Sequence, residues 1–274
     1  MPELPEVETV RRGIEPHVVG RVIEAVRVYD RRLRWPVPHN FARKLRGRTV
    51  LAVQRRAKYL LLTLDNGDRI LLHLGMSGRL FLLPAGTPRK KHDHLDFTFS
   101  GGELLRLHDP RRFGAALLWP ATEPEHKLLK GLGPEPFSEG FNGDTLFEKS
   151  RGRRVAAKNF LMDSRIVVGV GNIYASESLF RAGIRPNRAA GRVSRIRYTK
   201  LAAAVRRVLS KAIEQGGTTL KDSSFTNADG EFGYFQVQLA VYDRTGLPCT
   251  ICATKIQRQV IGQRSSFFCP RCQR

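Results

Sequence analysis

The strongest constraint on the fold is a group of four cysteines near the end of the printed chain. Cys249, Cys252, Cys269 and Cys272 follow the pattern C-x2-C-x16-C-x2-C. Each pair suits a tight turn that points two thiolates at one ion, and the interval between the pairs is long enough for a β-hairpin. Four soft ligands at this spacing predict a closed, tetrahedral site for one structural zinc ion per chain. Disulfide bonds are the alternative, and a reducing cytosol disfavours them.

The interval between the cysteine pairs also indicates what such a module would present. Gln263, Arg264 and Ser265 lie where the tip of the hairpin is expected. An arginine on a zinc-stapled hairpin is well suited to reading a nucleic-acid groove.

The charge of the chain points to a polyanionic partner. Lys and Arg number 47 against 25 Asp and Glu, which gives a formal charge of +22. Hydrophobic residues make up 41% of the sequence, so a disordered polycation is excluded. Nucleic acid is the first candidate partner, and an anionic membrane surface is the second, because no basic amphipathic helix is evident. Charge alone does not separate an enzyme from a ribosomal or architectural protein.

The hydropathy pattern indicates no membrane segment and no export signal. No stretch approaches the roughly 18 consecutive apolar residues that a spanning helix needs. The first residues include Glu3, Glu6 and Glu8 where a signal peptide would be apolar. We therefore expect a cytoplasmic protein.

The periodicity divides the chain into a β-rich first half and a helical second half. Apolar positions at helical spacing predict a helix from Pro5 to about Val19, which Gly20 would end. Short β-prone runs then extend from Val22 to Phe99, with a strong hairpin signal at Asn66-Gly67. A Gly- and Pro-rich stretch, KGLGPEPFSEGFNGD, reads as a linker.

After the linker, helices are predicted at roughly 145–162, 172–182 and 194–214. The expected fold is α+β with several domains: a β-sandwich-like N-terminal domain with flanking helices, and a helical C-terminal domain with a four-cysteine hairpin. The predicted boundaries are 1–131 for the β-rich domain, 132–145 for the linker, 146–238 for the helical domain and 239–274 for the zinc module.

The opening residues, MPELPEVE, allow two interpretations. Pro5, Glu6 and Glu8 are ordinary helix-start residues, and on these residues alone that interpretation is favoured. The alternative is that the free N-terminus is itself a reactive group with carboxylates placed beside it.

Several motifs together resemble the bacterial formamidopyrimidine-DNA glycosylases. They are PELPEVETVRRG, QRRAKYLLL, HLGMSG, KHDH, DPRRFG, VVGVGNIYASESLF, EQGGTTLKD and the four-cysteine module. They occur in the family's order from residue 2 to residue 272. The resemblance implies a helix–two-turn–helix domain and a bifunctional base-excision enzyme. Such an enzyme would flip out and remove oxidised purines (8-oxoguanine and formamidopyrimidines) and then cut the strand by β,δ-elimination.

The resemblance also assigns catalytic residues. It implies that Met1 is removed and that the secondary amine of Pro2 attacks C1′ of the sugar to form a Schiff base. An α-amino group titrates near 7.7–8.0, far below lysine, so an appreciable share of it is unprotonated at neutral pH. Glu3 would protonate the sugar ring oxygen. Lys58 would contact the phosphate beside the lesion and assist β-elimination, and Arg264 would assist δ-elimination.

The remaining implied residues contact DNA. Three of them, Met76, Arg111 and Phe113, would enter the space left by the flipped nucleotide as an apolar filler, a planar cation and an aromatic wedge. Further contacts are implied for His92, Arg153, Lys158 and Asn172, the last at a glycine-flanked helix start that suits a phosphate. His73 is either a second phosphate neighbour or a strand histidine.

The sequence departs from the family at one loop and leaves other functions open. Between TTLKD and GYF the chain reads SSFTNADGEF, longer than usual, with Phe232 where proline is common, so base preference is in question. Relatives of the endonuclease VIII type begin PEGPE, whereas PELPE with Arg111 and Phe113 favours the purine branch.

A non-catalytic zinc-finger protein that binds bent DNA and an RNA-binding translation factor are the competing hypotheses. The expected enzyme is a monomer on double-stranded damaged DNA, with the bacterial nucleoid.

Overall fold

A computed structural model describes residues 2–217 and 239–274. These residues form two compact units. The first holds residues 2–130 together with 216–217, and the second holds 131–215 together with 239–274. Met1 and the loop around Phe225 and Phe232 lie outside the described residues, as does the last part of the predicted helical domain. Within the two described ranges, no helix has the length and apolar character needed to cross a membrane.

The first unit begins with helix α1, Leu4–Val18. Its apolar residues Val7, Val10, Ile14 and Val18 lie on one face and are buried in the core of the unit, as the helical spacing predicts. Val19 caps the end of the helix in an extended conformation, and Gly20 follows with a φ of 78°. A second, short helix, α2, spans Phe41–Leu45.

Two antiparallel four-stranded sheets form the rest of the first unit. The strands are β1 Ile23–Val28, β2 Val50–Arg56, β3 Tyr59–Leu64, β4 Arg69–His73, β5 Arg79–Pro84, β6 Asp93–Phe99, β7 Glu103–His108 and β8 Ala115–Trp119. One sheet has the order β1-β6-β7-β5 and the other β2-β3-β4-β8. Side chains from both sheets, α1 and α2 share one apolar core, so the unit is the predicted β-sandwich with flanking helices.

The hairpin signals and the strand register fix where the sandwich presents its loops. Asn66-Gly67 connects β3 to β4, as the sequence predicts. In the second sheet, His73 at the end of β4 pairs with Ala115 at the start of β8. The loops that follow His73 and precede Ala115 therefore leave the sheet at the same end.

The second unit is helical, with α3 Gly143–Ser150, α4 Ala157–Met162, α5 Asn172–Arg181, a 3-10 turn at Ala190–Arg192 and α6 Arg195–Glu214. The single helix predicted over 145–162 is wrong, because α3 and α4 are separate. Gly152 between them has a φ of 71°, and Ala156 forms a bridge with Ala189. A distant backbone partner therefore overrides local helix propensity.

A zinc-module hairpin completes the second unit. Its strands are β9, Gln257–Ile261, and β10, Arg264–Phe268, which pair antiparallel. The turn is formed by Gly262 and Gln263, both with positive φ, as a two-residue hairpin turn requires. Arg264 is thus the first residue of β10, directly after the turn.

Candidate functional site

The first turn of α1 buries two acidic side chains. Glu3 is the residue before the helix and is 2% exposed, and Glu6 is 6% exposed. The backbone N–H of Glu3 donates to Glu6 Oε2 at 2.8 Å, and the two residues form a reciprocal capping box. Pro2 precedes them and is half-buried. From the sequence, Glu6 is predicted to be only a first-turn acid; in the structure it also fixes the backbone beside Pro2.

Glu8 has a different environment, because three arginines surround it. Its carboxylate accepts hydrogen bonds from Arg11 and Arg12 at 3.0 Å and from Arg55 on β2 at 3.1 Å. Burial opposes its ionisation, but these arginines outweigh burial and hold the pKa of Glu8 below its usual value. Glu8 is therefore a paired carboxylate that fastens α1 to β2.

Lys58 and His73 lie close together at the ends of neighbouring strands. Lys58 is half-buried and precedes Tyr59, which pairs with His73 in the β3–β4 register. Burial, followed by the positive charges of Lys58 and Arg34, lowers the pKa of His73 to about 4. The neutral ring accepts the N–H of Gly75 at Nδ1, 3.0 Å away. Through Nδ1, His73 thus holds the loop carrying Met76, and its predicted contact with a phosphate stays a prediction.

Met76, Arg111 and Phe113 lie on the two loops at this end of the second sheet. Met76 is 39% exposed and Phe113 is 41% exposed, and Arg111 is exposed as well. The Arg111 guanidinium carbon lies 4.7 Å from the centre of the Phe113 ring. Large apolar side chains this open to solvent beside an arginine are available to a partner.

His92 lies on another loop of the first unit. It is half-buried and has a φ of 73°, a left-handed conformation. Its ring stands 6.0 Å from that of His108 in an edge-on arrangement. Burial and then the charge of Lys91 lower the pKa of His92. The predicted DNA contact at His92 stays a prediction.

In the second unit, Lys158 is fully buried on α4. Its Nζ donates to the backbone oxygen of Ser265 at 2.9 Å and also to Ser266 Oγ. Asn172, the first residue of α5, donates from Nδ2 to the same Ser265 oxygen at 3.1 Å. Both predicted DNA contacts therefore hold strand β10 in place, one residue beyond Arg264.

The remaining predicted contacts of the second unit are open to solvent. Arg264 and Arg153 are both exposed. The Arg153 guanidinium lies over the Phe160 ring at 5.6 Å, and its backbone oxygen accepts the N–H of Gly191. Both guanidinium groups are therefore accessible to a phosphate.

The four cysteine sulfurs lie within 4.8 Å of one another. Three of the Sγ–Sγ distances are 3.4, 3.5 and 3.9 Å. Zn–S bonds of about 2.3 Å in a tetrahedron imply sulfurs about 3.8 Å apart, so the cluster fits a zinc ion. The backbone N–H groups of Ile251 and Cys272 each point at a cysteine sulfur at 3.4 Å, which favours thiolates. Four thiolates would fill all four positions around the ion, so the site is structural.

The module has its own apolar core against α5. Phe180 of that helix packs with Val241, Ile256 and Phe267 of the zinc module. Glu177, also on α5, accepts the backbone N–H groups of residues 240, 241 and 242. The metal cluster is therefore joined to the helical part of the unit by both apolar contacts and a buried carboxylate.

Two residues at the sandwich loops were missed from sequence. Asp109 is fully buried and Ser77 is half-buried, and they are hydrogen-bonded to each other at 2.7 Å. They belong to the motifs HLGMSG and DPRRFG, in which the sequence predicts no role for Ser77 or Asp109. The available signal was an acid followed by proline at a strand end, which is typical of a loop-fixing side chain.

Family models match three consecutive parts of the chain. They are the formamidopyrimidine-DNA glycosylase N-terminal domain over residues 1–116, the formamidopyrimidine-DNA glycosylase H2TH domain over 132–224, and the zinc finger found in FPG and IleRS over 246–274. A formamidopyrimidine-DNA glycosylase of Hahella chejuensis is 57% identical over 274 residues, and that of Syntrophotalea carbinolica is 59% identical over 275, each match covering all of both chains.

Solved structures agree with this result. The crystal structure of the MutM (Fpg) protein of Thermus thermophilus is similar with a TM-score of 0.88 and 39% identity, covering 99% of this chain and 98% of that one. A mutant Fpg of Lactococcus lactis in complex with Fapy-dG containing DNA gives a TM-score of 0.90 at 33% identity, covering all of both chains.

The β-sandwich, the helical domain and the four-cysteine finger together define a class of DNA-repair glycosylases that carry a zinc finger. The chain belongs to the formamidopyrimidine-DNA glycosylase family. The predicted fold class and the predicted zinc are thereby confirmed.

Proposed function

We propose that the protein is a bifunctional DNA glycosylase and abasic-site lyase that removes oxidised purines through an N-terminal proline. The observation that carries the proposal is the carboxylate of Glu3, which directly follows Pro2 and is almost completely buried. A buried acid beside a secondary amine combines a nucleophile with a proton donor. The family membership supports the same reaction class.

Pro2 is the nucleophile once Met1 has been removed. A free proline nitrogen attacks C1′ of the damaged nucleotide and gives up its N–H proton, the bond from C1′ to the base breaks, and the base leaves with the electrons of that bond. The capping box between Glu3 and Glu6 supports this role, because it fixes the backbone immediately after Pro2. A retained Met1 would turn the same nitrogen into an amide, which has no lone pair to offer.

Glu3 donates a proton to the ring oxygen of the sugar as the ring opens. The open-chain adduct is an iminium, which makes the hydrogen on C2′ acidic. A base takes this proton, a C2′–C3′ double bond forms, and the 3′-phosphate leaves with the electrons of the C3′–O bond. Lys58 faces the phosphate beside the lesion in this scheme. Arg264 assists the second, δ-elimination, and its exposure at the start of β10 leaves its guanidinium available.

The substrates are oxidised purines in double-stranded DNA. The exposed set Met76, Arg111 and Phe113 supports base extrusion, with Arg111 reading the base opposite the lesion. The Lactococcus lactis relative was solved with Fapy-dG containing DNA, which favours the purine branch for this chain too. His92, Arg153, Lys158 and Asn172 are proposed as DNA contacts. The enzyme acts as a monomer in the bacterial cytoplasm, with the nucleoid.

Borohydride trapping tests this proposal directly. Processed protein, with Pro2 shown by mass measurement to be its first residue, is incubated with an 8-oxoguanine duplex and borohydride. A covalent complex is expected, and a form that retains Met1 gives none. A trapped adduct from the Met1-bearing form would overturn the assignment of Pro2, and no adduct from processed protein would favour a non-catalytic DNA binder.

Glu3→Gln separates the two steps of the reaction. We expect it to lose base excision and to keep cleavage at a preformed abasic site, because opening that sugar is less demanding. Glu15→Gln on the same helix is the matched control, since Glu15 is partly exposed and pairs with Arg11. Equal loss of both activities in Glu3→Gln would refute the role of Glu3 as the ring-opening acid.

Lys58→Gln tests the elimination step. We expect slower strand cleavage with trapping still detectable, since Pro2 is untouched. Lys44→Gln, an exposed lysine of α2, is the control for a general loss of positive charge. An identical result for the two variants would remove Lys58 from the mechanism.

A further inference from the structure

The three side chains proposed to fill the space of the flipped base come from two loops far apart in sequence. Residues 74–78 connect β4 to β5 and carry Met76. Residues 109–114 connect β7 to β8 and carry Arg111 and Phe113. A set of side chains that enters DNA together needs these two loops to hold a fixed relation to each other.

The carboxylate of Asp109 joins the two loops. It is fully buried, and both of its oxygens accept hydrogen bonds. Oδ1 accepts the hydroxyl of Ser77 at 2.7 Å, and Oδ2 accepts the backbone N–H of Gly114 at 2.8 Å. Ser77 Oγ in turn accepts the backbone N–H of Arg111 at 3.1 Å. The residue after Met76 is thus bonded to the start of the second loop.

The backbones of the loops also touch. A Cβ on Gly75 would lie 2.4 Å from the carbonyl carbon of Phe113, and one on Gly114 would lie 2.7 Å from the oxygen of His73. Either would be a severe overlap, so both positions need glycine. Arg112 is directed elsewhere, because its guanidinium pairs with Asp30 at 2.8 Å.

We propose that Asp109 and Ser77 are positioning residues that present Met76, Arg111 and Phe113 as one pre-assembled unit to the DNA. The inference rests on the proposed function and adds to it a pair of residues that would touch neither the damaged base nor the sugar. Without the Ser77–Asp109 bond, each loop must be ordered when DNA binds. The entropy cost of that ordering reduces the net free energy gained when the three side chains enter the DNA.

The test uses a duplex with a tetrahydrofuran abasic analogue and 2-aminopurine as the opposite base, whose fluorescence reports unstacking. Ser77→Ala removes one hydroxyl and is expected to weaken binding about tenfold and to reduce the fluorescence change. The slope of affinity against salt stays that of the wild type, because no phosphate contact is lost. Trapping on a single-stranded preformed abasic site is expected to stay within about twofold, since no base is extruded there.

Two further variants complete the comparison. Ser77→Thr keeps the hydroxyl and is expected to restore the fluorescence change. Asp96→Asn removes a buried carboxylate of the same unit, one that binds Tyr29 and Arg106, and controls for loss of stability alone.

The proposal is overturned if Ser77→Ala gives the wild-type fluorescence change, or if Asp96→Asn reproduces its defects. The proposal is overturned as well if Ser77→Ala reduces trapping on the single-stranded abasic site by as large a factor as it reduces binding to the duplex. Failure of wild-type protein to excise or trap would instead refute the proposed function, and the binding comparison on the tetrahydrofuran duplex would remain readable.

Discussion

Lys158 Nζ donates a hydrogen bond to the backbone oxygen of Ser265 at 2.9 Å, inside the second unit and out of contact with solvent. The lysine comes from α4 and the serine from β10, the strand that begins with Arg264. Lys158, which the sequence predicts to contact DNA, therefore holds the strand that carries Arg264, a second predicted contact.

We expect Lys158→Met to destabilise the protein by about 0.5–1.5 kcal/mol, because Ser266 Oγ loses the lysine donor while the Ser265 oxygen still accepts from Asn172. If Lys158 acts by holding β10, the variant binds DNA more weakly, but the slope of log affinity against log salt concentration is unchanged. If Lys158 binds a phosphate, the slope falls by about one unit. Denaturant unfolding and binding titrations at several salt concentrations distinguish the two, with Lys149→Met on the exposed face of α3 as control.

Zinc is expected to support DNA binding and to take no part in the chemistry. One zinc ion per chain should be found by metal analysis. Chelation or Cys269→Ser should then unfold the finger, because much of the stability of so small a module comes from the metal. DNA affinity should fall with it. Thr250→Ser, a change at an exposed position between the first two ligands, should alter neither the folding of the finger nor the DNA affinity. Purified protein without zinc would contradict the assignment of the cluster.

Arg111 and Arg153 are both exposed arginines, yet we expect their removal to have different effects. Arg111→Ala should blur discrimination of the base opposite the lesion and cost most on duplexes whose base must be flipped. Arg153→Ala should weaken binding to all DNA and lower the salt slope by about one unit. Affinity measured across four opposite bases and several salt concentrations makes the comparison. A uniform loss with the same slope change in both variants would show Arg111 to be another phosphate contact.

The stability of the first unit should depend on pH through His73. Folding lowers the pKa of this ring from about 6.5 to about 4, so the folded state disfavours the proton that the unfolded chain takes up. The free energy of unfolding therefore keeps its full value above pH 6.5. Protonation of His73 lowers it as the pH falls from 6.5 to 4, by about 3 kcal/mol in total. Unfolding measured from pH 7 to 4 should therefore show a smaller fall in stability for His73→Asn than for the wild type. His39→Gln, at an exposed histidine, should follow the wild type.

Local signals in the sequence were enough to predict much of this fold. The Asn66-Gly67 turn, the start of α5 at Asn172 and the spacing of the cysteines each depend on residues that are neighbours along the chain. The break between α3 and α4 was not predicted, because it depends on a bridge from Ala156 to Ala189, more than thirty residues away. A propensity read along the chain contains no information about such a partner.

In the candidate site, too, residues within local motifs were predictable from sequence, whereas contacts between distant segments were not. Pro2, Glu3, Met76, Arg111 and Phe113 were identified because they sit in motifs that resemble a known family. The burial of Lys158 and the bond from Ser77 to Asp109 were not anticipated, since each joins segments separated by dozens of residues. Sequence therefore named side chains proposed to meet DNA, but not the contacts that hold them.

The close packing of Gly75 against Phe113 and Gly114 has a consequence for anyone who wishes to redesign the lesion preference of this protein. Lengthening either loop, or placing any side chain at these glycines, would drive the two backbones apart. Libraries should therefore keep both loop lengths and both glycines, and vary residues 76, 111 and 113 in combination. Under the proposed function, recognition would be retuned by exchanging the side chains at these three positions, because the tight packing at Gly75 and Gly114 leaves almost no room for changing the loops themselves.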